Sequence, residues 1–290
     1  MSITEGRTTA NDIEFAYLEA GSGSLALCLH GFPDSAWTYR FLLPALADAG
    51  FHAVAPFMRG YAPTAVPADG RYQTAVLGLD ACALHEVLGG DGEAVVIGHD
   101  WGAMAAYIAA NHEPDRWRRV VTMAVPPAGA VAGGFMHYRQ LKKSWYMFFF
   151  QHGLADVVVG MDDLAFIDGL WGDWSPGYDG AEDIAHVKDA LRDPANLAAA
   201  LGYYRATLGG VGVDPALDAV QAAGNNVTAQ PTLYLHGRTD GCMGVEIAEG
   251  AGAFLTSGGS RLEIVEGAGH FLHVEQPDEV NRFILDFVTS

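Results

Sequence analysis

The stretch VIGHDWGA at residues 96–103 has the pattern of a buried strand, a tight turn and the start of a helix. Gly98 and Gly102 each lie two positions from Asp100. This spacing is typical of a nucleophile elbow, a strained strand-to-helix turn that leaves no room for bulk at the flanking positions. The turn would hold the Asp100 side chain near a helix N-terminus, whose dipole favours the carboxylate. The alternative is an ordinary helix N-cap, for which Asp is a preferred residue.

Short apolar runs alternate with helical patterns on both sides of this turn. Continuous apolar runs are typical of strands that are buried on both faces of a parallel sheet. The alternation therefore predicts an α/β fold with a mostly parallel central sheet covered by helices on both faces. The predicted strands are 25–31, 52–60, 94–100, 119–126, 231–237 and 261–267, and the predicted helices are 72–88, 101–111, one within 39–49 and a last one around 280–287.

The strand pattern disappears between about residues 127 and 228. This segment is mostly helical in pattern and carries many aromatic side chains, which require burial. An unstructured linker would not bury them. The sequence therefore predicts a core formed by residues 1–126 and 228–290, with a helical insertion at residues 127–227.

Charge and cysteine content restrict the partners and the compartment. The chain has 16 Lys and Arg against 35 Asp and Glu, a net charge of −19, which repels nucleic acid and anionic membranes. Neither is an expected partner. Cys28, Cys82 and Cys242 are far apart and lack CxxC spacing, which favours a reducing compartment. Because no secretory signal pattern is visible at the N-terminus either, a cytoplasmic location is expected.

A second motif, HGFPDSAWTYR at residues 30–40, directly follows a predicted strand. A Gly-Phe-Pro turn at that position can aim the Phe32 N–H toward the same space as the Trp101 N–H. Two such donors would stabilise a developing oxyanion. The alternative is an ordinary loop between a strand and a helix, and His30 itself is expected to be a structural histidine.

An acid and a base follow the two late strands. Asp240 comes after the strand predicted at 231–236, and His270 after the strand predicted at 261–265. A histidine oriented by a carboxylate is the usual general base beside a nucleophile. Asp240 could also be a plain turn residue. HFLH at 270–273 has a spacing that metal ligands use, but no third ligand cluster accompanies it, so no metal site is predicted.

Taken together, the motifs resemble those of the α/β-hydrolase superfamily and, within it, those of soluble epoxide hydrolases. HGFP at 30–33 is similar to the family's HGxP oxyanion motif, GHDWGA at 98–103 to its aspartate elbow, and MRGY at 58–61 to its RGY loop. The resemblance implies an α/β-hydrolase fold in which the insertion is a helical cap. It also implies that no cofactor is needed, that the substrates are a small hydrophobic epoxide and water, and that the protein is a monomer or a homodimer.

The resemblance also implies roles for the residues already singled out. Asp100 would attack the epoxide and form a hydroxyalkyl ester. His270, oriented by Asp240, would activate the water that hydrolyses this ester to a vicinal diol. The N–H groups of Phe32 and Trp101 would form the oxyanion hole.

Two cap motifs would supply the acids that open the ring. SWYMFFFQ at 144–151 implicates Tyr146, and GYYRA at 202–206 implicates Tyr204, with Tyr203 as the fallback. The alternative for both tyrosines is aromatic packing within the cap. The residues expected to contact the substrate are Phe32, Trp101, Trp145, Tyr146, Tyr204 and Phe271.

Two other functions remain open on the sequence. A haloalkane dehalogenase uses the same aspartate nucleophile and often has a Trp after it, as Trp101 is here. Many dehalogenases carry an asparagine where this chain has Phe32, although a cap tryptophan such as Trp145 could replace it. A ligand-binding protein with slow turnover on the same scaffold is the third possibility.

Overall fold

A single eight-stranded sheet forms the centre of the part of the chain that the computed structural model describes, residues 2–290. The strand order is β1-β2-β4-β3-β5-β6-β7-β8. The pairs β1–β2 and β2–β4 are antiparallel and the other five are parallel, which confirms the predicted fold class. The strands are β1 Thr4–Ala10, β2 Ile13–Gly21, β3 Ser24–Leu29, β4 Phe51–Pro56, β5 Val95–His99, β6 Arg119–Met123, β7 Thr232–Gly237 and β8 Arg261–Val265.

Five of the six predicted strands extend too far at their carboxyl ends. The strand predicted at 52–60 ends at Pro56, for example. Phe57 and Met58 continue its apolar run and are buried, but they belong to the loop that follows. Hydrophobicity records burial rather than ladder hydrogen bonding, so the pattern cannot mark where pairing stops.

The N-terminal hairpin formed by β1 and β2 is absent from the strands predicted from the sequence. Asn11 and Asp12 connect these strands with φ values of 45° and 61°. Such a pair of positive φ values is typical of the two-residue turns that join antiparallel strands. β1 is an edge strand with mostly polar, exposed residues, so it has no apolar run to detect. The Asn-Asp pair was the available signal.

Helices cover the sheet and form the insertion between β6 and β7. The helices α4–α10 make up a helical insertion consistent with a cap. None of the helices in residues 2–290 combines the length and hydropathy that a membrane crossing requires. The helices are α1 Leu42–Asp48, α2 Thr74–Val87, α3 Trp101–His112, α4 Ala128–Gly134, α5 Tyr138–Lys143, α6 Trp145–Phe149, α7 Leu154–Gly160, α8 Ala165–Trp174, α9 Ala181–Leu191, α10 Pro194–Gly209, α11 Asp218–Ala223, α12 Val245–Glu249, α13 Leu272–Glu275 and α14 Pro277–Val288.

The insertion is hydrogen-bonded to core loops at the carboxyl ends of the strands. The Tyr203 hydroxyl of α10 donates to the Arg59 carbonyl at 2.7 Å, and the Trp171 indole of α8 donates to the Pro33 carbonyl at 2.9 Å. Arg59 is itself buried and pairs with Asp80 through two hydrogen bonds of 2.7 and 2.8 Å. These contacts fix the insertion over the end of the sheet that carries the elbow.

The last helix before β7, α11, packs against α2 and α3 of the core. The Asn111 side-chain amide at the end of α3 donates to the Ala223 carbonyl of α11 at 3.0 Å. α11 lies within the range predicted for the insertion, 127–227. The boundaries of the core and the insertion therefore stay a prediction.

Candidate active site

Asp100 occupies the turn between β5 and α3. Its φ of 53° and ψ of −117° place it in a backbone region that residues other than glycine rarely adopt, and such strain is concentrated at functional sites. A Cβ at Gly98 would lie 2.1 Å from the Gly102 carbonyl oxygen, and a Cβ at Gly102 would lie 1.9 Å from the Leu29 carbonyl oxygen. The backbone is therefore packed too closely for any side chain at the two flanking positions, as the spacing predicts.

The Asp100 carboxylate does not cap the helix that follows it, since its side chain makes no capping hydrogen bond. The Phe32 N–H instead donates to Asp100 Oδ1 at 2.8 Å. A Cβ at Gly31 would lie 2.3 Å from the same oxygen, so the loop after β3 passes directly beside the carboxylate. Trp101 is the first residue of α3, where an N–H has no acceptor within its own helix. Within residues 2–290, Asp100 Oδ2 accepts no hydrogen bond and faces His270 Nε2 at 3.7 Å.

His270 connects Asp100 with Asp240. His270 Nδ1 lies 3.0 Å from Asp240 Oδ2, and His270 Nε2 lies 3.7 Å from Asp100 Oδ2. The other Asp240 oxygen accepts from the N–H groups of Cys242 at 2.7 Å and Met243 at 2.8 Å. The carboxylate after β7 is thus held from two sides and fixes the orientation of the imidazole after β8.

The electrostatics of Asp240 and His270 favour the charged form of both side chains. Burial raises the pKa of Asp240, but the nearby His270 and their hydrogen bond outweigh burial and lower this pKa below its ordinary value. Burial lowers the pKa of His270, but the Asp240 carboxylate and its hydrogen bond, together with the charges of Asp100 and Asp34, outweigh burial and raise this pKa. An imidazolium at His270 is therefore stabilised. Within residues 2–290, His270 Nε2 has no hydrogen-bond partner and faces Asp100.

An apolar cavity of about 400 Å³ lies between the core and the insertion and contains Asp100 in its wall. Its size and apolar lining are typical of small-molecule sites. Trp101, Met104 and Ile108 line it at helical spacing along α3. Most of the residues that line it are apolar, so the cavity suits a hydrophobic molecule.

Tyr146 and Tyr204 line the same cavity as Asp100, with ring centroids 5.6 Å apart. The Tyr146 hydroxyl lies 3.2 Å from Cys242 Sγ, whereas the Tyr204 hydroxyl has no partner within the described residues. Burial raises the pKa of both tyrosines well above the ordinary value, so both hydroxyls keep their protons. Tyr203 is turned away from the cavity and donates to the Arg59 carbonyl. Of the two adjacent tyrosines, Tyr204 is the one at the cavity.

The structure does not bring Trp145 and Phe271 to this cavity. Trp145 is 46 % exposed and packs against Phe149 and Phe166 on the outside of the insertion. Consecutive helical residues point in different directions, so the burial of Tyr146 turns Trp145 outward. Phe271 is buried and stacks on Trp171 with ring centroids 3.5 Å apart. Neither residue lines this cavity, and their contact with the substrate stays a prediction.

Phe32, the third expected substrate contact that does not line this cavity, packs its ring against other aromatic side chains. It contacts the rings of Phe150 and Tyr204 edge-to-face, with centroids 5.6 and 5.3 Å away. Its backbone N–H is the group that reaches Asp100. His30, two residues earlier, accepts from the Met58 N–H at 2.9 Å, and burial lowers its pKa to about 3. A neutral, hydrogen-bonded His30 is a structural histidine, as expected.

Sequence analysis missed Cys242 and Trp174. Cys242 lines the cavity beside Tyr146, and its position two residues after Asp240 was the available signal. The Trp174 carbonyl, at the end of α8, accepts from the N–H groups of Gly241 and His270, both at 3.0 Å. This carbonyl ties the Asp240 loop to the His270 loop. No sequence pattern indicates it, because it acts through the backbone.

A second buried polar cluster lies behind His270. His99 Nε2 is 3.0 Å from the His270 carbonyl, and His99 Nδ1 is 3.6 Å from Asp34 Oδ2. The His273 ring lies 4.6 Å from the His99 ring, centroid to centroid. None of these three side chains lines the cavity.

A family model for the α/β hydrolase family matches residues 26–283, and the chain belongs to this family. Within it, the chain is similar to epoxide hydrolase A of Mycobacterium tuberculosis, with 29 % identity over 99 % of this chain and 98 % of that protein. An epoxide hydrolase of Caballeronia sordidicola is 38 % identical over 43 % of this chain and 38 % of that protein. The crystal structure of epoxide hydrolase A from Mycobacterium thermoresistibile superposes with a TM-score of 0.83 at 26 % identity, covering 100 % of this chain and 99 % of that one.

Proposed function

We propose that this protein is an epoxide hydrolase that converts an epoxide into a vicinal diol through a covalent ester on Asp100. One observation carries the proposal: two protonated tyrosine hydroxyls share an apolar cavity with a carboxylate that has one free oxygen. An acid on one side and a nucleophile on the other are what opening an epoxide requires. The names of the similar proteins point to the same reaction.

In the first step, Asp100 Oδ2 attacks a ring carbon of the epoxide. A saturated carbon has no carbonyl to accept a nucleophile, so a new carbon–oxygen bond must form as the ring bond breaks. The released oxygen would be a strongly basic alkoxide, so both tyrosine hydroxyls hydrogen-bond it and one of them, Tyr204 or Tyr146, transfers its proton. The Tyr146 hydroxyl already lies near Cys242 Sγ, whereas the Tyr204 hydroxyl makes no well-aligned hydrogen bond within residues 2–290 and has the Trp101 ring beside it, so Tyr204 is the more available donor to the epoxide oxygen.

In the second step, water hydrolyses the ester at the carboxyl carbon of Asp100. His270 Nε2 removes a proton from this water, and Asp240 stabilises the imidazolium that results. The negative charge develops on Oδ1, which already accepts from the Phe32 N–H, with the Trp101 N–H as the second proposed donor. The diol oxygen leaves with the proton that His270 took from the water. The second proton of the water stays on the Asp100 carboxyl and passes to the tyrosinate, directly or through solvent, which restores both the carboxylate and the tyrosine.

Haloalkane dehalogenation is a second candidate, and one feature favours it. Trp101 lines the cavity, and its buried Nε1 has no hydrogen-bond partner within residues 2–290. An indole N–H beside a carboxylate nucleophile could hold a leaving halide. The two tyrosine hydroxyls are unnecessary for that reaction, because a halide leaves without a proton.

A substrate panel separates the two candidates. The purified protein is incubated with terminal aryl epoxides, disubstituted aliphatic epoxides and 1-bromoalkanes, and diol and halide release are both measured. The proposal predicts diol release in multiple turnovers and little halide. Halide release without diol formation would support the dehalogenase, and tight binding without turnover would support a ligand-binding protein.

Substitution of the cavity tyrosines tests the acid role. We expect Tyr204→Phe and Tyr146→Phe each to slow ester formation by about 10²-fold or more, because general acid catalysis typically contributes roughly 10²–10⁴-fold. Rapid-quench mass spectrometry of a single turnover measures this step directly. Tyr203→Phe is the matched control: losing its hydrogen bond to the Arg59 carbonyl should destabilise the fold by about 1–3 kcal/mol. Equal slowing of ester formation in Tyr203→Phe would contradict the assignment.

A further inference from the structure

Asp100, Cys242 and His270 form a compact group of three different metal-binding side chains. One ligand atom from each lies within 4.8 Å of the other two, and all three residues are buried. Asp100 and Cys242 line the cavity, so a small ion has a route to them. A carboxylate, a thiol and an imidazole are the side chains that zinc sites use.

The distance between two of the candidate ligand atoms fits an ion with tetrahedral coordination. Asp100 Oδ2 and His270 Nε2 are 3.7 Å apart, close to the roughly 3.4 Å that separates two ligands of a tetrahedral zinc with bonds of about 2.1 Å. His270 Nε2 is buried and has no hydrogen-bond partner within the described part of the chain. The Cys242 sulfur has the Tyr146 hydroxyl beside it, 3.2 Å away, and lies within 4.8 Å of the other two ligand atoms, so binding the same ion requires a rotation of the Cys242 side chain toward them.

The surroundings hold these ligands as a metal site requires. Asp240 Oδ2 lies 3.0 Å from His270 Nδ1, which directs the Nε2 lone pair toward Asp100. A carboxylate behind a histidine is the usual outer support of a zinc ligand. The other oxygen of Asp240 accepts from the Cys242 N–H at 2.7 Å, so one carboxylate positions two of the three ligands.

We propose that Asp100, Cys242 and His270 together form an inhibitory binding site for a thiophilic divalent cation, Zn²⁺ or Cd²⁺. The cation replaces the thiol proton of Cys242, which is released to solvent, and bonds to the thiolate, to Asp100 Oδ2 and to His270 Nε2. Its fourth position opens to the cavity and takes a water. The ion is no cofactor, because it occupies the nucleophile and the base. The inhibition, though not the binding, rests on the proposed function.

Cadmium titration tests the binding without any substrate. A Cd²⁺–thiolate bond has an ultraviolet charge-transfer absorption, so we expect the protein to show this band with one Cd²⁺ bound per chain. Cys82→Ser, which removes a buried cysteine outside the cavity, should keep the band. Cys242→Ala and Cys242→Ser should both lose it, and circular dichroism checks that each variant is folded. A band that persists in the folded Cys242 variants, or no band in the unmodified protein, would overturn the proposal.

Zinc inhibition tests the consequence for turnover. Zn²⁺ should suppress diol release from the unmodified protein and from Cys82→Ser, and a chelator should restore it. Cys242→Ser is compared with its own rate in the absence of metal. Its half-inhibition should require at least about 10-fold more Zn²⁺ than that of the unmodified protein. Loss of a group that only hydrogen-bonds to a metal ligand already costs roughly 10–100-fold in affinity, so loss of a ligand should cost at least as much. Equal sensitivity in Cys242→Ser would overturn the proposal.

The two experiments also separate this proposal from the proposed function. If no epoxide is turned over, the cadmium band still decides whether the site exists. The Asp34, His99 and His273 cluster does not confuse the result, because its candidate ligands include no sulfur and it does not line the cavity. A cation bound there would give no thiolate absorption and would not respond to substitution of Cys242.

Discussion

The His270→Gln protein is expected to accumulate a hydroxyalkyl ester on Asp100 when it is mixed with an epoxide substrate. In the proposed mechanism, opening the ring uses Asp100 and the cavity tyrosines, whereas hydrolysing the ester requires a base for the attacking water. The proposed base is His270 Nε2, which lies 3.7 Å from Asp100 Oδ2. We therefore expect steady-state diol release to fall by about 10⁴-fold or more while the ester still forms, since removal of a triad histidine costs up to about 10⁶-fold in kcat.

Mass spectrometry measures the ester directly. The peptide that contains Asp100 should gain the mass of one epoxide in His270→Gln and should show no such gain in the unmodified protein at steady state. His273→Gln is the matched control, because His273 is a second buried histidine three residues further along that contacts Thr38 and does not line the cavity. It should turn over without a trapped ester. The absence of an adduct in His270→Gln, while the unmodified protein makes diol, contradicts the two-step mechanism.

The Asp100→Ala substitution is expected to abolish both ester formation and diol release. No other carboxylate is among the described residues that line the cavity, so no second nucleophile can replace it. Removal of a catalytic nucleophile costs up to about 10⁶-fold in kcat, and we expect a loss of at least about 10⁴-fold here. Diol release by purified protein over long incubations measures it.

Asp278→Ala is the control for Asp100→Ala, because it also removes one carboxylate near the N-terminus of a helix. Asp278 lies in the first turn of α14, away from the cavity, and Asp278→Ala should keep full turnover. Thermal unfolding of both variants separates the loss of a nucleophile from the loss of the fold. If folded Asp100→Ala keeps more than about a tenth of the turnover, the carboxylate is not the nucleophile.

The parts of this protein that the sequence predicts are those in which local pattern and three-dimensional role coincide. β5 is apolar because it is buried on both faces, and Gly98 and Gly102 are small because the backbone leaves no space for a Cβ. Asp240 and His270 come directly after parallel strands, so they meet at one edge of the sheet. In such cases, a short window of residues contains the physical cause.

The parts that the sequence does not predict depend on contacts between distant segments. The sequence offers Trp145 and Tyr146 as neighbours of equal aromatic character, and only the packing of α6 shows that Tyr146 faces the cavity. The roles of Tyr203 and Tyr204 likewise differ only through packing, because the Tyr203 hydroxyl donates to the Arg59 carbonyl while Tyr204 lines the cavity. Cys242 lies beside Tyr146 although 96 positions separate them along the chain. Periodicity carries no information about such contacts.

The central claim is that a carboxylate oxygen of Asp100, rather than water, attacks the epoxide. A single turnover in ¹⁸O-labelled water with enzyme in excess tests it most directly. If Asp100 attacks, the first diol carries the unlabelled oxygen of the enzyme, and the label appears in the peptide that contains Asp100, because water enters at the carboxyl carbon of the ester. If the first diol carries ¹⁸O and the peptide stays unlabelled, water attacks the epoxide directly and the covalent mechanism is wrong.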